Sequence, residues 1–364
     1  MAREKVAYFF GSLNRGGAET LVLDVLSRHS QLPYDALCIY RNEGTLSERY
    51  RNTGAQMIRL PRGKSWLGYI VRLSKVLRKE GVTVIHAQTS LNAILAVVCT
   101  WFTRVRAVTT FHGYGYINSP KLLRRLIFKG SDKVVFVSKE LKDAYLKRGD
   151  FGCKEKCVIV YNGIDFDKFN ILATGSNNKR LELCMVGSFG EGRNHLFVCK
   201  FLSRLLENGI DFHFTFIGAA RDNEMKIYND CVDYCKEHGL EGYVTFAGLR
   251  DDVPELLRGM DAFVYATRHD SFGIAVMEAV AAGLPTFVND WCVMKELTRE
   301  GELATLYETD NVDSLYDKFC DFVAHRDDYR TKAKENAILV RELYSIEQHI
   351  KTLIQVYAIR SNAD

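Results

Sequence analysis

Proline is scarce in this chain, 5 of 364 residues against 27 glycines. Stiff proline-rich linkers are thereby excluded, and tight glycine turns are favoured. No apolar run is long enough to cross a bilayer: the most apolar stretch, 91–102, carries Asn92 and Thr100 and reads as a buried helix. The opening Met-Ala-Arg-Glu-Lys leads directly into a strand, with no apolar segment behind a basic start, so a cytoplasmic location is expected. The 10 cysteines lack a zinc spacing, because nothing completes the pairs Cys153/Cys157 and Cys231/Cys235. Structural disulfides are not expected in a reduced compartment. Low-complexity segments and short repeats are missing too. So are helix-turn-helix and zinc-finger patterns, which argues against nucleic acid as a partner.

What is present is the composition of a soluble globular protein, 47% hydrophobic and 26% charged. A chain of 364 residues exceeds one ordinary core, so two domains are expected. Two series of short strands alternate with helical segments. "KVAYFF" (5–10), "YDALCIY", "QMIRL", "VTVIHAQ", "RAVTTFHG" and "KVVFVSK" form the first series. "LELCMVGSF" (181–189), "FHFTFIGAA", "VTFAGL", "AFVYAT" and "PTFVND" form the second. Strands alternating with helices over short loops predict parallel sheets covered on both faces, hence an α/β fold of two doubly wound, Rossmann-like domains. The predicted boundaries are 1–171 and 181–340, joined by a polar linker at 172–180. A helical tail at 341–364 could pack back on the first domain. Charge divides unevenly: residues 1–170 hold 28 Lys and Arg against 14 Asp and Glu, and the remainder holds 21 against 31. A cationic front half suits a nucleic acid, an anionic membrane leaflet or a phosphorylated acceptor; attraction between the halves is the alternative.

Open α/β domains bind ligands beyond the carboxyl ends of their strands, so the turns after strands are the places to search. "FFGSLNRGGAET" follows the first strand. Gly16 and Gly17 there could bring backbone N–H groups and a helix start to a phosphate, or serve only a tight turn. The spacing matches neither a Walker A loop nor GxGxxG, which disfavours a P-loop NTPase or a standard NAD site. In "TTFHGYGY", His112 ends a strand and could donate to a sugar hydroxyl or a phosphate, or be a satisfied structural residue. "VGSFGEGRNHLF" sets Arg193, Asn194 and His195 in a turn before a helix, where Arg193 could clamp phosphate bidentately or simply be solvated. "RHDSFGIAVMEAVAAGLPTFVND" places Asp270 on a post-strand turn and Glu278 within an apolar helix closed by Gly283. A carboxylate in that helix needs a partner; a ribose diol would supply two hydroxyl donors, and a buried ion pair is the other reading. The N–H groups of Phe272, Gly273 and Ile274 at the helix start would face a diphosphate.

Taken together, the motifs resemble the retaining nucleotide-sugar glycosyltransferases of family 4, which have the GT-B fold. The resemblance runs in order along nearly the whole chain. It comprises "GGAE" (16–19), "FHG" (111–113), "VSK" (137–139), "YNGID" (161–165), "VG" and "RN" (186–187 and 193–194) and "FAG" (246–248). An acid, seven residues and a second acid complete it. The chain is similar above all to capsular and exopolysaccharide enzymes. The resemblance implies that Glu278 holds the donor ribose and Arg193 its diphosphate. Asp270 and the backbone of Gly273 and Ile274 would meet the donor sugar and phosphate. Gly16 and Gly17 would close on the phosphate from the first domain, and His112 would lie beside the donor sugar. Asn194, Gly248 and Phe272 would complete the donor contacts. Two departures stand out: Ser188 where the family usually has Arg, and Asp270 where it usually has Glu.

The implied reaction moves a hexose from a nucleoside diphosphate sugar, UDP-sugar favoured, to a polyprenyl-diphosphate-linked or saccharide acceptor with retention of configuration. Charge on the leaving diphosphate would be met by an arginine, glycine turns and helix N-termini. No cofactor and no metal are expected, since no Asp-x-Asp pair follows a strand. The amphipathic segments around 121–129 and 65–79, with Trp66 and Tyr69 as interface anchors, predict peripheral docking on the inner face of the membrane. A non-hydrolysing sugar-nucleotide epimerase shares this architecture but would form product without an acceptor. A non-catalytic sugar-nucleotide-binding partner would bind donor without turnover.

Overall fold

Short β-branched and aromatic runs make the strands of this protein. Segments with apolar residues three and four apart make the helices that cover them. The structure, a computed structural model, describes residues 3–169, 173 and 180–358. It divides into two compact units, Met1–Gly163 with Ile346–Asp364, and Ile164–Ser345. The chain therefore passes between units at 163/164 and returns at 345/346. The predicted linker at 172–180 lies almost wholly outside the described residues.

The first unit comprises β1 (Lys5–Ser12), α1 (Gly17–Leu26), β2 (Asp35–Asn42), α2 (Ser47–Asn52), β3 (Gln56–Arg59), α3 (Trp66–Lys79), β4 (Val84–Ala87), α4 (Ser90–Thr100), β5 (Arg106–Phe111), α5 (Lys121–Gly130), β6 (Lys133–Phe136), α6 (Lys139–Lys147) and β7 (Cys157–Ile159). Among the described residues its strands form one seven-stranded sheet in the order β3-β2-β1-β4-β5-β6-β7, every pair parallel. The order reverses between β1 and β4, which opens a crevice at the carboxyl ends of those strands. The last helix of the chain, α14 in the numbering used below (Ile346–Val356), belongs to this unit. Its Ile346, Leu353 and Val356, with Tyr357 beyond it, join the core under β1. A buried polar chain fastens the helix there: Tyr357 Oη lies 2.6 Å from His86 Nδ1, and His86 Nε2 lies 2.6 Å from Thr110 Oγ1.

The second unit comprises β8 (Leu181–Val186), α7 (His195–Glu207), β9 (Phe212–Ile217), α8 (Met225–Glu237), β10 (Val244–Phe246), α9 (Val253–Arg258), β11 (Ala262–Tyr265), α10 (Ile274–Ala281), β12 (Thr286–Asn289), α11 (Cys292–Leu297), β13 (Thr305–Tyr307), α12 (Val312–Ala324) and α13 (Arg326–Tyr344), after which α14 re-enters the first unit. Its parallel sheet runs β10-β9-β8-β11-β12-β13, with the switch between β8 and β11.

Three expectations about helices require correction. The apolar stretch 91–102 is not wholly buried: α4 ends at Thr100, and Trp101 and Phe102 stand in solvent, 64% and 56% exposed. Tyr69 is no surface anchor, because it falls on the inward stripe of α3 with Leu73 and Leu77 and stacks against Phe9. On α5 the cations do not all face outward: Arg124 is buried, donates to Ile117 O and lies over the Phe151 ring. The two cysteine pairs also differ. Cys231 and Cys235 share the buried face of α8, with Cys235 Sγ 3.8 Å from Cys199, whereas Cys153 and Cys157 flank a single 3-10 turn.

Candidate active site

Of the residues singled out in the second unit, Arg193 and Asp270 meet at its switch point, whereas Gly248 follows the edge strand β10. Arg193 lies on the turn after β8, and Asp270 on the turn after β11, the two strands that flank the reversal. Arg193 Nε donates to Tyr265 Oη at 2.8 Å, and Tyr265 Oη donates to Asp270 Oδ2 at 2.5 Å. Arg193 Nη1 donates to Ser188 Oγ at 2.9 Å, and Nη2 stands 3.9 Å from Asp270 Oδ1. Tyr265, at the last position of β11, therefore bridges the cation and the acid. Sequence reading missed it because a strand tyrosine looks like core; only its pairing across the switch reveals the role. Burial pushes the Tyr265 phenol well above its ordinary range, with Asp270 adding to the rise. The Tyr265 oxygen, then Asp270, strengthen the charged form of Arg193.

A glycine makes this arrangement possible. A Cβ at Gly187 would lie 2.7 Å from Cδ and Nε of Arg193, so only glycine lets the arginine lie flat across the end of β8. Ser188, at the position where the resembled family usually has Arg, holds Arg193 in place by accepting from it. Asn194 caps α7: its Oδ1 accepts from Phe197 N at 3.3 Å and its Nδ2 donates to Asp310 at 2.9 Å. His195 is buried, stacked on Phe189 with ring centroids 4.0 Å apart, and burial lowers its pKa to about 3.

The start of α10 supplies the dipole. Gly273 caps the helix in the left-handed region at φ 77°, and a Cβ there would meet Met294 Cε at 2.6 Å. The Phe272 side chain is buried edge-on against Tyr344, which leaves its backbone as the part available to a ligand. Ile274 opens the helix, and Glu278 follows four residues later on the same helical face, half-buried rather than fully desolvated. Its Cα thus lies about 6 Å along the helix axis from that of Ile274, one turn away. Gly248 follows β10 with φ 65°, and its carbonyl accepts from Gly218 N at 2.8 Å. A separate cavity of about 280 Å³, lined by Leu284, Thr286, Thr305, Lys332 and others, lies at the amino ends of β12 and β13. It lies at the opposite strand ends from these turns.

The remaining predicted residues belong to the first unit. Gly16 caps α1 in extended conformation, and Gly17 begins the helix. The Glu19 carboxylate folds back onto Gly16 so closely that a Cβ there would collide with it, and burial raises the Glu19 pKa. The start of α1 therefore already carries an acid of its own. His112, after β5, sets Nε2 2.8 Å from Gln88 Oε1; since that oxygen only accepts, Nε2 carries the proton. Burial, then His349, lowers the His112 pKa to about 3, so the ring is neutral at ordinary pH. Among the described residues no group of three or more His, Cys, Asp or Glu is gathered closely enough to hold a metal ion.

Two parallel doubly wound units, the second with an arginine–tyrosine–acid cluster at its switch point, define a GT-B architecture. Two family models match in succession: Glycosyltransferase Family 4 over residues 15–168 and Glycosyl transferases group 1 over residues 167–340. The chain thus has the GT-B fold and carries, in order, two glycosyltransferase domains. It is similar to EpsF of Bacillus subtilis (strain 168), 24% identical over 387 residues that cover 100% of this chain and 98% of that one. It is also similar to the Escherichia coli UDP-Gal:alpha-D-GlcNAc-diphosphoundecaprenol alpha-1,3-galactosyltransferase, 24% identical over 269 residues, 68% of this chain and 67% of that one. Among solved structures, Anabaena Alr3699/HepE in complex with UDP and glucose superimposes with a TM-score of 0.85 at 15% identity, covering 98% of this chain and 100% of that chain.

Proposed function

We propose that this glycosyltransferase is a retaining, metal-independent hexosyltransferase that takes its sugar from a UDP-sugar and passes it to a saccharide on a polyprenyl diphosphate, in the assembly of a cell-surface polysaccharide. The observation that carries the reading is the Arg193–Tyr265–Asp270 cluster beside the start of α10, with Glu278 one turn further on. Glu278 would accept from both ribose hydroxyls. Arg193 and the N–H groups of Gly273 and Ile274 would face the diphosphate, and Asp270, its position set by Tyr265, would meet the sugar. As the glycosyl–phosphate bond breaks, its electron pair goes to the diphosphate oxygen. The acceptor hydroxyl bonds to the anomeric carbon on the same face, and its proton passes to the departing phosphate. Preorganised donors around that oxygen stabilise the developing charge without reorganisation. The UDP in the HepE complex and the UDP-Gal donor and diphosphoundecaprenol-linked acceptor of the Escherichia coli relative support the choice of donor and acceptor class.

Thermal shift with UDP tests the reading. UDP at 100 times its dissociation constant should stabilise the protein by about 2.7 kcal/mol. Glu278→Ala should abolish that shift while leaving the unliganded melt in place; an undiminished shift in the variant removes the ribose assignment.

The acceptor's lipid would place the protein at a membrane surface. Residues 49–131 hold fifteen Lys and Arg and a single carboxylate, Glu80. Trp101, Phe102 and Leu122, 75% exposed, project from the same region. An open groove of about 380 Å³ between the end of α4 and α5 is lined by Trp101, Leu122, Arg125, Leu126 and Lys129. Apolar anchors among cations, with hardly an acid among them, suit an anionic leaflet, which vesicle flotation checks. Among the described residues no helix is long and apolar enough to cross a membrane.

A further inference from the structure

The first unit buries a guanidinium that no carboxylate neutralises. Arg41, near the end of β2, is only 8% exposed. Its Nη1 donates to Asn92 Oδ1 at 2.5 Å. Its guanidinium carbon lies 5.8 Å from the ring centres of Phe9 and Trp66 and 6.0 Å from that of Tyr69. Among the described residues no Asp or Glu pairs with it. Aromatic faces offset part of the desolvation of such a charge, but a buried cation ordinarily also has an anion.

Its surroundings are positive as well. Asn92 lies in the first turn of α4, whose N-cap Thr89 makes no side-chain cap bond and whose first turn holds no acid. The partial positive charge of that helix start therefore meets the guanidinium with nothing negative between them. The place is the crevice where the strand order reverses: Gly11 and Arg41 are the penultimate residues of β1 and β2, and β4 leads into α4. Gly11 keeps it open, since a Cβ there would lie 2.7 Å from Arg41 Nη2. At the rim, the exposed Arg62 stacks on Trp66 with its guanidinium carbon 5.0 Å from the ring centre.

We propose that this crevice binds a phosphate or diphosphate group, with Arg41 as its principal cation and the first N–H groups of α4 as donors, and that the group is carried by the acceptor. A planar fork beside a helix start is the donor set a phosphate oxyanion requires. Only the assignment to the acceptor rests on the glycosyl-transfer reading, in which the donor's diphosphate is held by Arg193 in the second unit. The anion site itself stands on Arg41 and its neighbours.

The test uses the full chain with Arg193→Gln, which removes the diphosphate contact of the second unit, and follows binding of inorganic pyrophosphate, geranyl diphosphate and UDP by calorimetry. Pyrophosphate and geranyl diphosphate should still bind. Adding Arg41→Gln should weaken both by at least roughly tenfold, the size of one lost charge-assisted hydrogen bond. Arg41→Lys, which keeps the charge without the fork, should fall between. UDP binding that depends on Arg41 would reassign the site to the donor and overturn the acceptor assignment. Binding that disappears with Arg193→Gln alone, or that ignores Arg41, overturns the site. Should Arg41→Gln fail to fold, a selenate soak of the unaltered protein decides: an anomalous peak within hydrogen-bond reach of Arg41 is expected, and its absence ends the proposal. Failure of UDP to bind the unaltered protein would remove the donor reading while leaving the pyrophosphate result standing by itself.

Discussion

At the scale of single residues, the site depends on a hydroxyl that no motif contains. Tyr265 Oη accepts from Arg193 and donates to Asp270, so one oxygen sets the spacing of the proposed diphosphate clamp and the proposed sugar contact. Tyr265→Phe should leave both partners unbridged in a half-buried setting. The expected result is a loss of roughly tenfold or more in kcat/KM, together with a lower melting temperature. Steady-state kinetics and a thermal melt read the two effects separately, and unchanged kinetics would show the bridge to be structural only. Arg193, Asp270 and Glu278 were legible in the sequence because each sits at a fixed offset from a strand or a glycine. Tyr265 and Gln88 were not, since an alternating strand pattern says which face a residue takes and not which loop it meets across the sheet.

At the scale of elements, periodicity located the helices better than it located their surfaces. The run at 91–102 reads as uniformly apolar, yet α4 stops at Thr100 and turns Trp101 and Phe102 outward. The core needs only the inward stripe of that helix, and two aromatics beyond its end have no sheet to cover. Their exposure carries a prediction. Trp101→Ser with Phe102→Ser should reduce flotation with phosphatidylglycerol vesicles, and Arg125→Gln or Lys129→Gln should weaken it by roughly fivefold per cation at low salt. Flotation with phosphatidylcholine vesicles should be weak for every variant. Equal binding to both lipids would remove the electrostatic part of the proposal. The strands β7 and β13, each three residues long at the edge of its sheet, escaped sequence reading.

For the whole molecule, buried neutral histidines set the response to acid. Burial holds His86 well below its ordinary pKa, lowers His112 and His195 to about 3, and lowers His349 to about 4. The unfolded chain takes up these protons near pH 6.5, before the folded protein does. Their contribution to stability is therefore complete above that pH and is lost as pH falls toward the folded values, by about 1.4 kcal/mol per pH unit for each fully protonating group. His86, His112 and His349 lie in the first unit and His195 in the second, so the first unit's transition should shift further between pH 7 and pH 5. Denaturant melts followed by hydrogen exchange in each unit read this directly; equal stability at both pH values would contradict it.

The alternation of strand and helix, the tandem arrangement and the glycine-bearing turns after strands were all determined locally, by periods of two and 3.6 and by glycine and proline punctuation, which act over a few residues. Tertiary structure decided what those rules do not reach. The fold set Tyr265 between Arg193 and Asp270, brought α14 back to the first unit through Tyr357 and His86, and closed aromatic rings around Arg41. Each of these joins residues distant in sequence or on separate strands, and such contacts follow from strand order and helix packing, which no short window of sequence encodes.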